Sequence, residues 1–250
     1  MSSRLPSVHR QVKVLCGTLL LGAVAVWGPR GFDAMAEMQT FRIADVDVTG
    51  AQVLAEDSVV AQMRLGQFAS VWGDRDVWAD RLARHPLIRT ARVERRLPNR
   101  LRVEIEERRP VALAATPTLE LVDGEGFRLP IDPTLYRFDL PIIDASRVPP
   151  ADAAVFPAEV RGLAAAVQYL WEIDPELYQQ ISTVRQAPGG SIVVKLMAPD
   201  VELVLPPRVS EGRLAEAMAA LDHAIRSQPA DRPTVVDLRY TGQVVVRRTR

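Results

Sequence analysis

"IRTARVERRLPNRLRVEIEER", residues 88–108, contains two runs of β-formers that meet at Pro98-Asn99. In the second run Leu101, Val103 and Ile105 fall on one face, and Arg102, Glu104 and Glu106 fall on the other. That alternation is the signature of a half-buried strand, and the Pro-Asn break predicts a hairpin. Upstream, "FRIADVDVTG" (41–50) alternates Phe41, Ile43, Val46 and Val48 with polar residues, imperfectly, and stops at Gly50. It reads as a strand running into a turn. "LAEDSVVAQMRL" (54–65) carries Leu54, Val59, Met63 and Leu65 at roughly helical spacing. "DRDVWADRLARHP" (74–86) predicts a second helix, capped by Asp74, with Val77, Trp78 and Leu82 inward and Pro86 ending it. Residues 41–110 therefore read as one domain in the order strand, helix, helix, strand, strand.

From Pro110 onward prolines become frequent and short β runs alternate with turns. "LELVDGEGFRLP" (119–130) predicts a hairpin around Asp123-Gly124, and "LPIIDA" (140–145) a short strand. A helix is expected over Val160 to Trp171, with Leu163, Val167, Leu170 and Trp171 on one side. "ISTVRQ" (181–186), "GGSIVVKLM" (189–197) and "VELVLPP" (201–207) read as successive antiparallel strands. "SEGRLAEAMAALDHAIRS" (210–227) is a helix capped by Ser210, with Leu214, Met218, Leu221 and Ile225 on one face. The chain closes on "PTVVDLRYTGQVVVRR" (233–248), a hairpin around Thr241-Gly242. The fold class is α+β: residues 111–250 form a mostly antiparallel β domain with flanking helices, ending in that hairpin.

No acidic residue precedes Asp33, while Arg4, Arg10 and Lys13 precede the uncharged run "VLCGTLLLGAVAVWGP" (14–29). Sixteen helical residues at about 1.5 Å each span roughly 24 Å, slightly short of a hydrocarbon core of about 30 Å. Lys13 and Arg30 can snorkel, and Trp27 stands where an interfacial aromatic belongs. The reading is a transmembrane helix over 14–32 with a cytoplasmic tail, 1–13. A signal peptide cleaved after Ala34-Met35-Ala36 is the alternative, and a buried helix a third. Either of the first two exports the rest of the chain.

Chemistry is hard to find. The 250 residues carry zero formal net charge and one cysteine, Cys16, which rules out an internal disulfide. No nucleophile elbow, Walker loop or zinc-binding histidine pair occurs, and the three histidines, at 9, 85 and 223, are far apart in sequence. "DGEGF" (123–127) holds two glycines but sits at a hairpin tip. The arginines at 89, 92, 95, 96, 100 and 102 make a basic hairpin, yet Glu94, Glu104, Glu106 and Glu107 interleave with them and no aromatic platform accompanies them. The expectation is a non-enzyme with no cofactor, no metal and no nucleic-acid partner.

Several segments carry a family resemblance. "HPLIRTARVERRLPNRLRVEIEERRPVAL" (85–113) is similar to the closing hairpin of the POTRA domain in the FtsQ/DivIB cell-division proteins. "FRIADVDVTGAQVLAEDSVV" (41–60) resembles that domain's opening, "LVDGEGF" (121–127) and "LPII" (140–143) the start of the family's β domain, and "VVDLRYTGQVVVR" (235–247) its C-terminal segment. Leu97 departs from the pattern, since many members carry tryptophan before the proline. The resemblance implies a single-pass inner-membrane scaffold of the division septum, N-terminus cytoplasmic and bulk periplasmic. It binds small bitopic FtsB/FtsL-type proteins, links early division proteins to septal peptidoglycan synthesis, and meets other divisome proteins through the POTRA domain. The other class in view is a secreted or periplasmic POTRA-containing chaperone or binding module.

The expected contact site is the closing hairpin: Arg239, Tyr240, Gly242, Val244, Val245 and Val246. A terminal strand offers a row of unpaired backbone groups to which a partner can add a strand. Arg247, Arg248 and Arg250 only partly guard that edge. Arg239 offers a fork for a partner carboxylate and Tyr240 an anchor with a polar tip. On the residues alone, Tyr240 covering the sheet and Arg239 pairing internally stands beside this reading. The family's matching Arg-Tyr pair lies in its contact site for the FtsB-type partner.

Overall fold

A computed structural model describes residues 38–132, 138–145, 153–228 and 232–248. The chain divides into two units, the first ending at Glu107 and the second starting at Arg108.

In the first unit the alternation at residues 101–105 does what it predicts: Leu101, Val103 and Ile105 are buried in one apolar cluster. β1 (Asp45–Thr49) pairs in parallel with β3 (Arg100–Glu107), which pairs antiparallel with β2 (Ile88–Arg96), so the order is β1-β3-β2. Val103 lies opposite Val48 on one side and Val93 on the other. α1 (Glu56–Met63) and α2 (Arg75–Ala83) cover this sheet through Val59, Met63, Trp78 and Leu82. The Asp74 side chain caps α2, accepting from the backbone N–H of Asp76 and Val77.

Two expectations change here. The first strand starts at Asp45, because Phe41 belongs to a 3-10 turn; Val71 N–H donates to the Phe41 carbonyl (2.9 Å), and Ile43 N–H donates to the Ala69 carbonyl (2.9 Å). Val77 points outward, at 40% exposure, since the apolar stripe of α2 runs through Trp78 and Leu82 and leaves its neighbour on the flank.

Among the described residues of the second unit, nine strands form one sheet. They are β4 (Pro110–Ala115), β5 (Leu119–Asp123), β6 (Arg128–Leu129), β7 (Ile142–Asp144), β8 (Ile181–Gln186), β9 (Ile192–Leu196), β10 (Glu202–Leu205), β11 (Pro233–Asp237) and β12 (Val245–Arg248). Their order is β12-β11-β10-β9-β8-β7-β4-β5-β6. Hairpin neighbours are antiparallel, as expected. The pairs β4–β7, β7–β8 and β10–β11 are parallel, and the last two are bridged in sequence by helices. α3 (Ala158–Ile173) and the short α4 (Pro175–Tyr178) lie between β7 and β8, and α5 (Glu211–Ser227) lies between β10 and β11.

Val160, Leu163, Val167 and Leu170 of α3 and Leu214, Ala217 and Leu221 of α5 join one core with the sheet. Trp171, expected inward, is 37% exposed at the flank of that stripe, its ring 6.2 Å from that of Tyr178. Burial pushes the Tyr178 hydroxyl up to about 12, with the Asp139 charge adding to it, and the hydroxyl donates to the Val111 carbonyl (3.0 Å).

The predicted span over 14–32 lies outside the described residues. Among the described residues, no helix is long and apolar enough to cross a membrane.

Candidate partner-binding site

β11 sits between β10 and β12, while β12 ends the sheet, with only β11 beside it among the described residues. The hairpin register places Asp237 opposite Val245 and Val236 opposite Val246. The connection is longer than the two residues the sequence suggests. It runs from Leu238 to Val244, with Thr241-Gly242 as its tip and Gly242 at φ +77°, in the left-handed region. The reason lies at Asp237 and Leu238. Leu238 N–H donates to the Val204 carbonyl (2.9 Å) and its side chain is buried, so it stays with β10 while the chain leaves β12. Arg239 and Tyr240 therefore lie in a loop rather than on a strand face.

Asp237 is fully buried. Its Oδ1 accepts from the Arg239 backbone N–H (3.1 Å) and Nε (2.9 Å), and its Oδ2 from Arg239 Nη2 (2.7 Å). Arg247 Nη2 approaches the same Oδ2 at 3.5 Å. The hydrogen bonds from the Arg239 side chain hold the Asp237 carboxyl below the usual carboxylate range, against the opposing effect of burial. The fork of Arg239 thus closes on Asp237, the internal pairing that stood as the second reading. Two guanidiniums share one carboxylate, so the hairpin keeps a positive excess.

The remaining expected residues surround this pair. Tyr240 is 44% exposed, and Gly242 sits at the open tip. Val244 and Val246 pack partly against the core, and Val245 is half-buried. Two arginines tie the hairpin to α5: Arg213, which sequence reasoning missed, and Arg248, which it read only as a guard of the edge. Arg213 donates through Nη2 to the carbonyls of Tyr240 (2.8 Å) and Gln243, and Arg248 Nη2 donates to the Ala224 carbonyl (3.2 Å). Nothing in local pattern distinguishes Arg213 from any solvated helix arginine.

Most of the other candidates make contacts within their own unit. Arg89 pairs with Glu106, Arg96 with Glu94, Arg100 with Asp45 and Arg102 with Asp47, while Arg95 donates to the carbonyls of Val71 and Gly73. Glu107 accepts from the backbone N–H groups of Gln52, Val53 and Leu54. His85 Nδ1 accepts from Leu87 N–H, and His223 bonds Ser227. Among the described residues, no group of three His, Cys, Asp or Glu side chains could hold a metal ion. A groove of about 520 Å³ lies between α3 and the segment 205–209, lined by Gly162, Ala166, Tyr169 and Pro207, and none of the expected contact residues reaches it.

Residues 41–108 match the family model described as "POTRA domain, FtsQ-type". The chain is 27% identical over 218 residues to the cell division protein FtsQ of Rhodothermus marinus, covering 84% of this chain and 79% of that one. It is 29% identical over 251 residues to FtsQ of Salinibacter ruber, covering 92% and 90%. To FtsQ of Myxococcus fulvus it is 28% identical over 198 residues, covering 78% and 69%. The chain is similar over most of its length to cell division proteins named FtsQ. The FtsQ-type POTRA match falls on the three-stranded first unit, and the similarity to the named relatives extends well beyond it.

Proposed function

We propose that the chain is a non-enzymatic scaffold of the bacterial division septum that binds small bitopic FtsB/FtsL-type proteins along its closing hairpin. On this reading residues 14–32 anchor it in the inner membrane with 1–13 in the cytoplasm. Residues 41–110, the POTRA domain, meet other division proteins, and 111–250 carry the partner site. The observation that supports it most is the outer edge of β12, which among the described residues has β11 on one side and no strand on the other, beside the exposed Tyr240. A partner strand laid along Val244 to Val246 gains backbone hydrogen bonds from that edge, and Tyr240 adds an amphipathic anchor. Arg239 and Arg247 together outweigh Asp237, which favours a partner with acidic side chains near the contact.

Tyr240→Ala is the clean test, because that side chain is exposed and lies outside both strands. It should weaken capture of the FtsB-type partner by about 2 kcal/mol, roughly thirtyfold, with thermal unfolding unchanged. Cells carrying it should place the protein at mid-cell and still fail to divide. Unaltered capture by the folded variant would move the contact elsewhere. Arg239→Glu is a poorer probe than the sequence suggests, since it sets a second carboxylate against the buried Asp237 and disturbs the hairpin itself.

A further inference from the structure

The tip of the closing hairpin has little to pack against: a side chain built at Gly242 would meet no atom within 4 Å. Seven residues of loop, Leu238 to Val244, nevertheless carry Tyr240 and lead into the open strand. Leu238 and Arg239 are held to β10 and Asp237, and one guanidinium ties the 240–243 turn to α5. Arg213 Nη2 donates to the carbonyls of Tyr240 (2.8 Å) and Gln243, the two ends of the turn around Thr241-Gly242. Its Nη1 donates to Glu216 Oε2 (2.6 Å), one turn along α5, which fixes the fork from behind. The Arg213 side chain is 18% exposed, and the adjacent Leu214 is buried in the core, so the clamp is mounted on a rigid helix. At the other end of α5, Arg248 fastens the end of β12 to the Ala224 carbonyl.

We infer that Arg213 is a positioning residue for the partner-docking hairpin: it holds the 240–243 turn closed, so that Tyr240 and the start of β12 stand ready before a partner arrives. This rests on the scaffold reading above. A planar fork aims one nitrogen at two carbonyls and the other at a carboxylate, whereas a lysine carries all its donors on a single atom at the end of a flexible stem. Without the clamp the loop samples open conformers, and apparent affinity falls in proportion to the fraction that stays competent. Because Arg213 spends its donors on the loop and on Glu216, its loss acts on the approach of the partner and leaves the contacts in the formed complex intact. Association slows, whereas a lost direct contact would speed dissociation.

The test uses the full-length chain in lipid nanodiscs and, as probe, the immobilised extracytoplasmic region of the FtsB-type protein from the same bacterium. Arg213→Ala should lower the association rate about tenfold with the dissociation rate unchanged, and amide exchange over 239–244 should quicken. Arg213→Lys should recover only part of the rate. Glu216→Gln, which leaves both carbonyl bonds in place, should bind within about twofold of wild type. Association at the wild-type rate by Arg213→Ala overturns the clamp, as does faster dissociation with loop exchange unaltered. Should the alanine variant not fold, wild-type kinetics in Arg213→Lys overturn it equally. Failure of the wild type itself to bind overturns the scaffold reading, and the positioning role with it.

Discussion

β2–β3 and β11–β12 are both antiparallel hairpins, one in each unit, and they are fastened in opposite ways. β3 lies between two strands and sends Leu101, Val103 and Ile105 into an apolar cluster closed by two helices. Among the described residues β12 has a neighbouring strand on one side only, and its valines are half-buried. Directional bonds from guanidinium groups hold the hairpin instead: Arg239 on Asp237, Arg213 on the tip and Arg248 on α5. Burial makes a hairpin that no partner can enter without unfolding the unit. Bonds to backbone carbonyls order a hairpin while leaving its apolar edge uncovered, which is what strand addition requires.

The buried hairpin is most vulnerable at Val103. Val103→Asp buries an unpaired carboxylate between two strands and should cost more than about 4 kcal/mol, out of a typical domain stability of about 5 to 15 kcal/mol. Trp72 and Trp78 lie in the first unit, so their fluorescence should report its unfolding at ordinary temperature. A wild-type melting curve would mean that β3 does not carry the core.

Two glycines sharpen the contrast between the two units. Gly50 and Gly242 have similar positive φ angles, +88° and +77°. A Cβ on Gly50 would stand 1.9 Å from the Ile105 carbonyl oxygen, whereas one on Gly242 would meet nothing. Gly50→Ala therefore adds a backbone clash to the left-handed strain and should cost about 3 kcal/mol. Gly242→Ala carries the strain alone and should cost about 1 kcal/mol. Thermal unfolding of the two variants side by side measures the difference, and equal losses would deny that the closing loop is open.

The same contrast explains what could be read from the sequence. At 88–108 burial and period coincide, so the strand faces and the turn were legible. Val77 and Trp171 escaped because periodicity marks the middle of an apolar stripe and says little about its flanks. That nine strands join one sheet, with parallel pairs at β4–β7, β7–β8 and β10–β11, is a long-range fact that no local pattern carries. The closing hairpin was legible as a hairpin and its loop length was not. Asp237 looks like any charged residue on a strand, and only the fold shows a buried carboxylate holding Arg239, with Arg213 arriving from another element.

Acid offers the gentlest test when it is read at β12, beside the buried Asp237 carboxyl. In the unfolded chain an aspartate titrates near about 3.9, and in the folded chain Arg239 holds Asp237 below that. A lowered folded value means the folded state resists protonation, so its stabilising effect is complete above about pH 4 and fades as pH falls through the lowered value. Amide exchange at Val245 and Val246, corrected for its intrinsic pH dependence, should accordingly be flat from pH 8 to pH 5 and quicken only below about pH 4. Asp237→Asn should loosen the hairpin at every pH, because an amide N–H₂ then faces two guanidiniums, and it should abolish the acid step. A transition between pH 5 and pH 7 that survives Asp237→Asn would assign the response to another group, and would show that the Asp237–Arg239 pair does not hold the hairpin in the way its geometry indicates.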